Sequence, residues 1–200
     1  VKKILGLTAL LLWATVGFAQ TNWKTKLKEE LPLLGHRNWV VIVDSAYPLQ
    51  TSAGIETIFT GEDQLTVVKA VLTELKKQKH VRANVFLDKE MKFIDEKAAP
   101  GITKYRNSVS SLLKGMSAAS MLHEDIIAKL DEAGKTFHVL VLKTKLTLPY
   151  TSVFLQLDCG YWSGDKESAL RKKMGGKSAG NVFLGGDFWA WRQAGRQRFL

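Results

Sequence analysis

One cysteine, four prolines and four histidines in 200 residues leave little room for several kinds of protein. Cys159 alone cannot close an internal disulfide, so the core must hold by packing. The bland reading of Cys159 is a small apolar residue in a strand. His36, His80, His123 and His138 show no H-E-x-x-H or other metal spacing, and there is no cysteine cluster, so no metal is expected. No G-x-S-x-G elbow exists to support a Ser-His-Asp hydrolase built on Ser45 or Ser52 with His36. Gly176-Lys177-Ser178 ends like a phosphate loop, but Arg171 stands where the leading glycine belongs. No nucleotide or other cofactor is therefore expected. After residue 19 there is also no apolar run long enough to span a bilayer.

Charge is present but unevenly placed. The net charge is +10. Residues 163–200 carry eight basic residues against Asp165, Glu167 and Asp187, and Lys2 and Lys3 stand at the other end. The domain between is only mildly basic. A nucleic-acid footprint would be a basic face with interleaved aromatics, and none is visible.

Lys2-Lys3, the apolar run Ile4 to Val16 and the small residues Gly17 and Ala19 read as a secretory signal peptide cut after Ala19. The expectation is an exported protein, periplasmic or secreted, with no membrane span once the signal is removed. Its parts are residues 1–19 as signal peptide, 20–162 as one folded domain, and 163–200 as an irregular, basic, Gly-rich tail.

Within the domain, Leu33–Pro48 (LLGHRNWVVIVDSAYP) stands out. Trp39 to Val43 is an unbroken run of β-formers, as in a strand buried on both faces of an α/β sheet. Asp44 leaves that strand at its carboxyl end, where open α/β sheets bind ligands. His36 enters it. The eight residue steps from His36 to Asp44 span more than about 25 Å as strand, so a shared site needs a folded-back turn or a neighbouring subunit.

Further along, Asn22 caps a helix whose apolar face is Trp23, Leu27, Leu31 and Leu34. Ile55 to Phe59 reads as a short strand. Glu62-Asp63 opens a helix with Leu65, Val68, Leu72 and Leu75 buried. Val81 to Leu87 is a strand, and Asp88 to Gly101 a charged connection. Lys104 to Leu113 is a helix, and Met121-Leu122 closes a short strand. His123-Glu124-Asp125 opens another helix, which Gly134 stops. Thr136 to Leu142 and Thr151 to Leu157 are strands. Alternating strands and helices predict a single-domain α/β sheet with helices packed on it.

Four groups sit at element ends: His36, Asp44, His123 and Tyr150. Each alone has a plain structural reading: an exposed histidine, a loop carboxylate, a helix cap, a packing aromatic. Imidazole nevertheless titrates near neutral pH and suits general acid/base work. His123 lies at a helix N-terminus, where the dipole favours a neutral ring. None of the four is a strong nucleophile with a base beside it. Together they suit reversible proton transfer on a polyhydroxylated small molecule.

Leu34-Gly35-His36-Arg37-Asn38, followed by an apolar strand and Asp44-Ser45-Ala46-Tyr47-Pro48, resembles the start of the ribose pyranase / fucose mutarotase (RbsD/FucU) family. His123-Glu124-Asp125-Ile126 and Pro149-Tyr150-Thr151-Ser152 resemble two later islands of that family, in the same order. The resemblance covers residues 34–160. It implies an RbsD/FucU-like α/β fold, a ring-shaped homo-oligomer and a pocket between subunits. It also implies a cofactor-free isomerase that interconverts the ring forms or anomers of a monosaccharide. Carried over, His36 is the acid/base, and Asp44 grips hydroxyls or orients the histidine. His123 and Tyr150 bind the sugar, with Ser152 where the family has Asn. Asn38 replaces a common acidic residue, and the segment from Asp88 to Gly115 is longer than the family's. A non-catalytic carbohydrate-binding or assembly protein on the same fold is the alternative.

Overall fold

The computed structural model describes residues 22–174. The expected signal peptide and the end of the tail lie outside the described residues.

The first helix, α1 (Trp23–Glu30), is capped by Asn22, whose side chain accepts from the Lys24 amide at 3.0 Å. Trp23, Leu27, Leu31 and Leu34 are all buried, so the predicted apolar face is the observed one. Strand β1 (Trp39–Val43) is buried at every position. Strand β2 (Ile55–Phe59) leads to α2 (Gln64–Leu75), whose first turn is capped by Asp63 through the Leu65 and Thr66 amides. The buried stripe of α2 is Val67, Val68, Val71, Leu72 and Leu75. Leu65 is only partly buried, so the stripe begins later than the sequence spacing suggests.

Strand β3 (Val81–Asp88) runs one residue further than expected, and a 3-10 turn (Lys89–Phe93) begins the charged connection. Then come α3 (Ile102–Leu112), β4 (Ala118–Met121), α4 (His123–Ala133), β5 (Val139–Lys143) and β6 (Val153–Cys159). The tail expected to be irregular from residue 163 begins instead with a helix, α5 (Gly164–Lys173). Ser163 caps it, and Asp165 and Glu167 in its first turn oppose Arg171, Lys172 and Lys173 in its last. It buries only Gly164, so its apolar periodicity carried no signal.

The sheet order is β2-β5-β1-β6-β3-β4. β2, β5 and β1 are mutually parallel, β6 is antiparallel to both neighbours, and β3 pairs parallel with β4. Five strands therefore point their carboxyl ends to one edge, and only β6 starts there. On one face Val40, Ile42, Leu140 and Leu155 pack with residues of α1, α2 and α3. On the other, Trp39, Val41, Val141 and Phe154 pack with Ile126 and Leu130 of α4. Among the described residues, no helix is long and apolar enough to cross a membrane.

Gly54, just before β2, is required for space. Its N–H donates to the Gly134 carbonyl at the end of α4, and its own carbonyl accepts from Val139 at 2.8 Å. A Cβ on it would press on the Gly134 and Phe137 carbonyl oxygens, both main-chain atoms that cannot swing aside. Gly54→Ala is expected to cost about 1–3 kcal/mol in chemical denaturation. A cost near zero would show that the β2–α4 junction is soft.

Candidate functional site

The shared carboxyl edge gathers most of the chemistry. β1 ends at Val43 and delivers Asp44, half-buried, whose Oδ1 accepts from the Ala46 amide at 2.8 Å. β3 ends in Asp88, which pairs in register with Met121 of β4. Two residues beyond Met121, His123 starts α4, and its Nδ1 lies 2.9 Å from Asp88 Oδ1. Asp88 is wholly buried, whereas the His123 side chain keeps 27% of its surface exposed. Burial pushes the Asp88 carboxyl up from its usual value, while the bond and charge of His123 pull it back. Asp88 Oδ2 has no hydrogen-bond partner among the described residues. The first turn of α4 lacks a side-chain cap from Leu122; instead Glu90 accepts the His123 amide with both oxygens at 3.1 Å.

Tyr150 stands edge-on to His123, ring centroids 5.4 Å apart at 88°. Its backbone is left-handed (φ 53°), an uncommon state for a bulky residue. A buried network holds this turn. Tyr105 Oη donates to the Thr151 carbonyl at 2.6 Å, and Gln64 Nε2 donates to the same oxygen at 2.5 Å. Thr144 Oγ1 links Gln64 back to the end of β1. Burial raises the Tyr105 hydroxyl well above its ordinary value, which keeps it a donor. The turn at Tyr150 is thus anchored through Thr151 to α2, α3 and the end of β1. Ser152 belongs to the same turn, but it is 1% exposed and its Oγ has no hydrogen-bond partner among the described residues.

His36 is elsewhere. It precedes β1, so it lies at the amino edge, the far end of the sheet from Asp44. There its Nδ1 sits 3.0 Å from Asp158 Oδ1 near the end of β6, and its side chain is 63% exposed. Arg82 of β3, paired in register with Asp158, holds Oδ2 through Nη2 at 2.6 Å and Nε at 3.2 Å. The Cys159 amide donates to Oδ1 at 2.8 Å. Burial alone would raise the Asp158 carboxyl, but Arg82, that amide and His36 outweigh it and hold it below its usual value. Cys159 closes β6 half-buried and free.

The structure therefore brings Asp44, His123, Tyr150 and Ser152 to one edge and leaves His36 at the other. Each histidine faces an ionisable carboxylate through Nδ1. Where that carboxylate is ionised it only accepts, so Nδ1 is the donor of the pair. Sequence reading missed both carboxylates. Asp88 had a signal available, since NVFLD repeats the apolar-run-then-Asp pattern of VVIVD. Asp158 had none, because its bond to His36 depends on β6 lying beside β1.

No protein-family model matches the chain, and no curated protein matches it. Solved structures do. RbsD of Bacillus subtilis, complexed with D-ribose, is 20% identical with a TM-score of 0.46, over 67% of this chain and 92% of that one. FucU from Bifidobacterium longum is 18% identical with a TM-score of 0.44, over 66% and 92%. The fucose mutarotase of Streptococcus pneumoniae, in complex with L-fucose, is 18% identical with a TM-score of 0.46, over 72% and 98%. The chain is similar to these RbsD and FucU proteins across most of their length.

Proposed function

We propose that this protein is an exported monosaccharide mutarotase or pyranase-like isomerase, active as a homo-oligomer without a cofactor. One observation carries the reading. Each edge of the sheet bears a histidine held through Nδ1 by a buried carboxylate, one exposed and one beside an aromatic ring and a second aspartate. Roughly 25 Å of strand separates His36 from Asp44 within a chain, so the sheet's amino edge from one copy meets the carboxyl edge of another.

In the shared site, Asp44, His123 and Tyr150 hold the sugar hydroxyls. His36 moves the protons, with Asp158 and Arg82 fixing its ring. A base takes the anomeric hydroxyl proton while an acid protonates the ring oxygen. The C1–ring-oxygen bond breaks and an open-chain aldehyde forms. After rotation about C1–C2, the same hydroxyl attacks C1 to give the other anomer, or a neighbouring hydroxyl attacks C1 to give the other ring size. The attacking hydroxyl loses its proton to the base while the acid protonates the carbonyl oxygen. The net change is isomerisation alone, so no co-reactant is consumed.

The test is exchange NMR between sugar forms, with ribose, fucose, galactose and glucose as the panel. Accelerated exchange of one sugar is the expected result, and it would name the substrate class. Sugar binding without acceleration would instead favour a carbohydrate-binding protein on this fold, a reading to which the buried Ser152 lends weight.

A further inference from the structure

A third cluster lies outside both histidine–carboxylate pairs. His138 immediately precedes β5, Glu56 lies in β2 opposite Leu140, and Glu30 ends α1 on the face that Leu140 and Ile58 share. His138 Nε2 is 3.5 Å from Glu30 Oε2 and 3.7 Å from Glu56 Oε2. We propose that Glu30, Glu56 and His138 form a binding site for one divalent transition-metal ion of the zinc type.

The distances favour a metal over an ion pair. A tetrahedral Zn2+ with bonds of about 2.1 Å sets its ligand atoms roughly 3.4 Å apart. An imidazolium donating to carboxylates would close to about 2.7–2.9 Å, and neither contact does so. Two of the three atoms are also buried without a hydrogen-bond partner among the described residues, Glu30 Oε2 and His138 Nε2. Glu30 is only 9% exposed. Orphaned polar atoms at that depth are costly, and an ion between them would satisfy both.

Lys26 explains the other oxygens. Its Nζ lies 2.7 Å from Glu30 Oε1 and 3.3 Å from Glu56 Oε1, leaving the two Oε2 atoms to His138. The side chains of Glu56 and His138 remain 37% and 32% exposed, so a water can complete the shell. One imidazole with two carboxylates suits zinc and its first-row neighbours better than Ca2+ or Mg2+, which prefer oxygen alone. The ligands come from α1, β2 and the start of β5, which is why no spacing in the sequence announces them.

The experiment titrates the purified protein with Co2+ and with Zn2+. One equivalent of Co2+ is expected to give the intense visible absorption of a four-coordinate ion, and Zn2+ is expected to displace it and raise the melting temperature. Glu56→Gln and His138→Gln should each weaken binding roughly 100-fold or more, with circular dichroism confirming that they fold. His80→Gln should bind as the parent does. Lys26→Met, which removes the competing ammonium, should bind more tightly. Absence of the four-coordinate Co2+ band overturns the proposal. So does a band that persists in both ligand variants, since that places the metal elsewhere.

Discussion

Two inactive variants are expected to rescue each other. His36→Ala and His123→Ala should each lower sugar-form exchange about 10^2- to 10^4-fold, the usual worth of a positioned acid/base group. Refolded together at equal amounts, they should regain about one quarter of the parent activity if each site draws one residue from each of two copies. The geometry behind this is the opposite placement of the two groups. His36 is held by Asp158 at the amino edge, and His123 by Asp88 at the carboxyl edge. Random mixing pairs an intact His36 with an intact His123 in one site of four. If both residues served one site within a single chain, mixing would restore nothing. If His36 took no part, its variant would keep its activity. Exchange NMR on the two variants and their mixture separates these outcomes, with size-exclusion chromatography showing that the copies have mixed.

The same placement explains what the sequence could and could not disclose. A strand buried on both faces leaves a run of apolar residues with no alternation, so Trp39 to Val43 announced itself, and Asp44 with it. Asp88 ends a similar apolar run, but the composition after it masks that signal. Its neighbours Lys89, Glu90 and Lys92 make the segment look like a solvated loop, although pairing with β4 carries the strand one residue into it. Strand order was not legible at all. The insertion of antiparallel β6 between β1 and β3 is a tertiary choice, and it alone brings Asp158 to His36 and Arg82. Helix α5 shows the limit of periodicity from the other side. It stands on a serine cap, the Glu167–Arg171 ion pair and end charges that suit the dipole, none of which leaves an apolar stripe.

Trp39→Ala should be the most damaging single change in the described core, at about 3–5 kcal/mol. The α4 face of the sheet is the thinner of the two, with Ile126 and Leu130 its buried helical contribution. Trp39 fills much of the rest. It is 2% exposed, and its ring lies 5.7 Å from that of Phe86 at a tilt of 36°. Those residues belong to β1 and β3, so the pair bridges the intervening β6, a span of about 9–10 Å that only two aromatic side chains cover. Truncation removes the bridge and opens a cavity beside Phe154. Against a total stability of about 5–15 kcal/mol, such a loss leaves a marginal fold. At about 2–4 °C per kcal/mol for a domain of this size, the melting temperature should fall by roughly 10 °C. Ile42→Val, in the same strand but facing the three-helix side, removes one methylene and should cost only about 0.5–1.5 kcal/mol. Urea denaturation of the two variants measures the contrast. Equal and small losses would mean that the α4 face can collapse around the missing ring. The expected large loss at Trp39 would show that the α4 face cannot close over the missing ring, so the Trp39–Phe86 bridge is what fixes β1 on that side.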